Sequence, residues 1–238
     1  MATRPAPDLD ATHVVATARK LADRIRERFP EATLGGTAER LAGIAEASAA
    51  TAERIGRPNR FLRFVIGLLI ASIPLSLGYA LWSLGVKVEV RSLSGFVSLF
   101  QATVESLIFV GAGIAFLVTL ELRLKRARTL RALHDLRAVA HLVDMHQLDK
   151  DPVYLLGKGE PTASSPRRAM TPFQLNRYLD YCSELLSLAG KVAALYGQRL
   201  NDPVALGAVD QLEMLTTALS RKVWQKVTLL DRALQAGP

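Results

Sequence analysis

The chain has 238 residues, half of them hydrophobic and 22% charged, with a formal net charge of +8. Its single cysteine, Cys182, excludes an internal disulfide framework and any multi-cysteine zinc or iron–sulfur centre. The positive charge is concentrated before one uncharged stretch (Arg54, Arg57, Arg60, Arg63) and after a second (Arg123, Lys125, Arg126, Arg128, Arg131). It therefore reads as membrane topology, and no groove-reading or base-stacking motif accompanies it to point to nucleic acid.

Residues 1–12 hold two prolines and no apolar pattern, and are expected to be disordered. From His13 to Phe29, Val14, Ala18, Leu21, Ile25 and Phe29 recur every three or four residues, an amphipathic helix stopped by Pro30. Gly35 and Gly36 mark a turn, and an alanine-rich helix follows from Thr37 to about Gly56. Residues 1–60 thus form a cytosolic, helical N-terminal segment. It has no early apolar run of the kind a cleavable signal peptide carries.

Residues 61–122 form a transmembrane hairpin. Phe64 to Val86 runs 23 residues without a charge, and Leu93 to Leu120 runs 28 with Glu105 alone. A bilayer core takes about 20 helical residues at ~1.5 Å each, so each stretch is long enough to span. The spans are placed at about 64–86 and about 99–122, with a short extended piece at Val86–Val90 between them. Pro74 falls inside the first, and Tyr79 and Trp82 sit toward its far end, where an interfacial aromatic belt belongs.

After Leu122 the second helix is expected to continue into the cytosol, because neither Gly nor Pro interrupts it before Pro152. Residues 123–238 then make a coiled-coil-like three-helix bundle from helices at about 123–150, 172–200 and 203–235. Residues 157–171 are a flexible loop. Thr171-Pro172 and Asp202-Pro203 are both cap-then-proline helix starts. Tyr178 and Tyr181 read as the wet edge of their helix, and Trp224 as a core or interface anchor.

Two constellations carry possible chemistry. Glu105, with Gln101 one turn before it, is an ionisable group inside an apolar span. Counted from Leu122 it lies ~26 Å toward the outside and reads first as a water-reachable interfacial carboxylate, with a proton or cation site in an oligomer or a pair with Lys87 or Arg91 as alternatives. His134, Arg137, His141 and Asp144 recur at +3, +4, +3 and share one helix face, whereas His146 points to the other side. That face is a polar stripe that hydrogen-bonds neighbouring helices. His134, His141 and Asp144 are also the candidates for a metal or pH-sensing site, although no four-ligand zinc spacing is present. Arg60, Arg63, Arg123, Lys125 and Arg126 are placed to meet anionic lipid headgroups.

The expected protein is all-α: a two-helix transmembrane hairpin, a cytosolic three-helix bundle continuing its second helix, and N-terminal amphipathic helices. Both termini lie in the cytoplasm, and the membrane is a bacterial inner membrane. With no phosphate loop, dinucleotide fingerprint or nucleophile elbow, no cofactor is called for and the reading leans away from an enzyme. The expected role is a scaffold or adaptor whose partners are the anionic bilayer and either further copies of itself or another protein. The alternatives are a subunit of a homo-oligomeric ion or proton pathway using Glu105, and a histidine-dependent metal or pH sensor.

Overall fold

The structure is a computed structural model and describes residues 8–56, 60–83, 93–152 and 170–235. Among these, the chain is all-helical: α1 (Ala11–Arg28), α2 (Leu34–Gly56), α3 (Arg60–Ser83), α4 (Leu93–Leu148), α5 (Pro172–Gly197) and α6 (Pro203–Gln235). The expected strand at Val86–Val90 and most of the loop expected at 157–171 lie outside the described residues. Two compact units result, one of Met1–Gly56 with Arg126–Pro238 and one of Arg57–Lys125.

The first unit is built around one apolar core. Leu136, Val139, Ala140 and Val143 of α4 are fully buried in it, with Leu179, Cys182 and Leu186 of α5 and Val223 and Leu230 of α6. Burying each large aliphatic side chain contributes about 1.5–3 kcal/mol. Beside the three helices expected to form the bundle, the two N-terminal helices contribute: α1 brings Leu21 and Ile25, and α2 brings Leu34 and Leu41. Neither short helix buries enough on its own to be stable in water, and packing on α5 supplies what local propensity lacks. Ala38, Ala42, Ala45 and Ala52 form the inward face of α2.

Several local expectations are corrected. The helix expected from His13 begins at Ala11, so residues 11 and 12 are not disordered; Asp10 caps it by accepting the Thr12 N–H at 2.9 Å. Gly35 and Gly36 are inside the first turn of α2 and not in a turn before it. The Thr37 N–H already reaches the Thr33 carbonyl at 3.3 Å, and neither glycine takes a left-handed backbone. Tyr178 and Tyr181 are buried, because Phe29 closes over them edge-on with ring centroids at 5.4 and 6.2 Å. Trp224 is 62% exposed, so of its two expected roles the core one does not hold.

The second unit has the opposite surface. α3 exposes Phe64, Leu68, Leu75 and Trp82, and its share of α4 exposes Leu107, Ile108, Phe109 and Phe116. Two hydroxyls turn back onto their own helices: Ser72 donates to the Leu69 carbonyl and Thr119 to the Ala115 carbonyl, both at 2.7 Å. One helical stretch among the described residues, Val104–Leu148, is long and apolar enough to cross a membrane. α4 itself is uninterrupted. Along it, Phe109 is 76% exposed while Val139, of similar character, is wholly buried.

Candidate functional site

The inner face of α4 is where sequence and structure can be compared residue by residue. Arg137 donates to the Gln211 side chain of α6 at 3.2 Å, and Asp144 accepts from Lys222 of α6 at 3.0 Å and from Gln147. One helical turn further along α6, Lys226 donates to the Gln147 carbonyl at 2.6 Å and closes the C-terminal end of α4. Burial pulls the Lys226 ammonium below the usual lysine range, and Lys222 adds to this, while Asp151 and Asp144 oppose it.

His134 and His141 are exposed, and neither makes a hydrogen bond among the described residues. They sit about 10 Å apart along the axis, two turns of one helix. Among the described residues no three His, Cys, Asp or Glu side chains come together as a metal shell. The histidine that is engaged is His146. Its Nε2 lies 2.9 Å from the Thr37 hydroxyl and its Nδ1 3.2 Å from that of Thr33, so it ties α4 to the first turn of α2. Burial, then the Lys150 charge, holds its pKa below the ordinary histidine value. Sequence spacing set His146 apart from the polar stripe but gave no reason to rank it above the others.

Gln101 donates to Glu105, one helical turn further along α4, at 3.0 Å. The headgroup candidates divide. Arg60 and Arg63 belong to α3, with side chains outside the described residues. Arg123 is exposed, and Lys125 pairs with Glu121 at 2.7 Å. Arg126 is committed within the bundle, where its Nε donates to Asp202 at 2.9 Å. The other oxygen of Asp202 caps α6 by accepting the Ala205 N–H at 2.9 Å. Arg126, then this backbone bond, holds the carboxyl below its ordinary range.

Sequence reasoning missed a cleft of about 630 Å³ between the end of α1 and the start of α5. It is lined by Arg24, Glu27 and Arg28 from one side and by Thr171, Phe173, Gln174, Arg177 and Tyr181 from the other. Arg24 pairs with Glu184 at 3.1 Å and Arg177 with Asp180 at 2.9 Å, and both guanidiniums approach the Tyr181 ring, at 5.3 and 5.1 Å from its centre. Arg28 has no carboxylate partner among the described residues and lies 5.9 Å from the Phe173 ring centre. Thr171 and Gln174 form a reciprocal capping box at the head of α5. Arg24 and Arg177 are 153 positions apart in sequence, too far for any motif to join them. No protein-family model, characterised protein or solved structure matches this chain.

Proposed function

We propose that the protein is a membrane-anchored helical scaffold. In this reading α3 and α4 both cross a bacterial inner membrane as a hairpin, and the five-helix unit is cytoplasmic and assembles with further copies of itself. The observation that supports the hairpin most strongly is the shared core. Residues that precede α3, such as Phe29 and Arg24, pack and pair with residues that follow α4, such as Tyr178, Tyr181 and Glu184. A chain crossing once would leave these on opposite sides of the bilayer, so a spanning α4 requires α3 to span as well. The large apolar side chains that both helices expose agree with lipid contact, since soluble proteins rarely show apolar patches beyond a few hundred Å². The Arg and Lys clusters at the two inner ends fit the cytoplasmic side.

Assembly is assigned to the outer face of α6. Asp210, Glu213, Met214, Thr217, Ala218 and Arg221 lie on it around a shallow concavity, and Trp224 continues it, exposed. The charge order is self-complementary. An antiparallel copy centred on Thr217 sets Glu213 opposite Arg221 and Asp210 opposite Trp224, the isologous pattern of a two-fold dimer.

Native mass spectrometry of the detergent-solubilised chain tests this. The wild type is expected as a dimer. Glu213→Arg and Arg221→Glu should each weaken it at least tenfold, and the double variant should restore it. A monomeric wild type, or a double variant no better than the singles, sinks the assembly.

A further inference from the structure

We propose that the cleft between α1 and α5 binds a small organic phosphate carrying a flat ring, a ligand of nucleotide size. Its volume of about 630 Å³ is that of a small-molecule site. Three guanidiniums line it against one carboxylate, Glu27. Two are already oriented: Glu184 holds Arg24 and Asp180 holds Arg177 from outside the lining, which leaves further N–H donors of each fork for a ligand. Arg28 makes no salt bridge among the described residues, so its whole guanidinium fork is open to meet a phosphate in bidentate fashion. The first turn of α5 adds the positive end of a helix dipole on the same side.

The aromatic residues define the rest of the ligand. Tyr181 is buried beneath Arg24 and Arg177, but Phe173 lines the cleft 64% exposed, with Arg28 over its ring at 5.9 Å, and is the aromatic side chain accessible to a stacked ring. A soluble phosphate and a lipid headgroup share this chemistry, and the probes below separate the two sources.

Calorimetry on the full chain in a nonionic detergent at low salt tests the proposal with four probes: ADP, inorganic pyrophosphate, hexaglutamate and soluble dihexanoyl phosphatidic acid. ADP should bind at one site and pyrophosphate more weakly. Arg28→Gln should weaken both by roughly tenfold. Phe173→Ala should weaken ADP by a similar factor and leave pyrophosphate unchanged. Both residues are exposed, and an unchanged helical circular dichroism signal and melting temperature establish that each variant folds. Absence of ADP binding, ADP affinity indifferent to Arg28→Gln, or tighter binding of hexaglutamate or the phospholipid than of ADP overturns the proposal. The measurement does not depend on dimer formation or membrane orientation, so its outcome is separate from that of the scaffold reading.

Discussion

His146 differs from the other helix-face histidines because both its ring nitrogens are used inside the fold. In the neutral ring one nitrogen donates and the other accepts, and the hydroxyls of Thr33 and Thr37 can serve either role. Protonation would place a charge in a half-buried site beside Lys150 and at the positive end of α2. With a folded pKa below the unfolded value near 6.5, the unfolded chain takes up a proton that the folded chain refuses. The stabilisation is therefore complete above pH 6.5 and is lost as pH falls through the lower, folded value. Urea midpoints should fall from pH 7.5 to 5, and His146→Gln should flatten that slope while costing about 1 kcal/mol at pH 7.5. An unaltered slope in the variant would assign the pH dependence elsewhere. Asp202 does not intrude, because its pKa is held below 3.8 and its contribution is lost only in stronger acid. Nor does Cys182: burial pushes its thiol up to about 12, so the native chain should resist alkylation at neutral pH.

At the scale of the helix, the cap of α6 shows what was legible in the sequence and what was not. Asp202-Pro203 announces a helix start because capping is local chemistry within four residues, and so does Thr171-Pro172. Nothing local shows that Asp202 also holds Arg126 of α4, a residue that charge clustering alone assigned to lipid. The long helices were readable for the same reason as the caps, since apolar periodicity is set by each helix's own burial. The burial of Tyr178 and Tyr181, the helical state of Gly35 and Gly36 and the α1–α5 cleft were not, because each is decided by a partner far away in the chain. The two functions of Asp202 can be separated. Asp202→Asn keeps an oxygen for the Ala205 N–H but loses the charge on Arg126, whereas Asp202→Ala loses both. The alanine variant should melt at least about 3 °C below the asparagine variant. Equal melting temperatures would mean that the cap contributes nothing beyond the ion pair.

For the whole molecule, the decisive constraint is that one core draws on chain from both sides of the two apolar helices. Residues 8–56 cannot be separated from residues 126–235 by a bilayer without dismantling contacts such as Phe29 on Tyr178. The proposed topology can be measured with the protein's own chemistry as background. Cys182, its only thiol, is buried and its pKa is pushed up by that burial, so introduced cysteines should report alone. Thr17 on α1 and Ser187 on α5 are exposed, and Ser92 lies in the sequence between α3 and α4. In sealed, right-side-out bacterial spheroplasts, a membrane-impermeant maleimide should label Ser92→Cys. It should leave Thr17→Cys and Ser187→Cys untouched until detergent is added. Labelling of Thr17→Cys and Ser187→Cys from opposite faces would require a single crossing and break the shared core. Labelling of both from outside would keep the core and reverse the orientation assigned from the Arg and Lys clusters. The two failures separate the hairpin, which rests on packing, from its direction, which rests on charge alone.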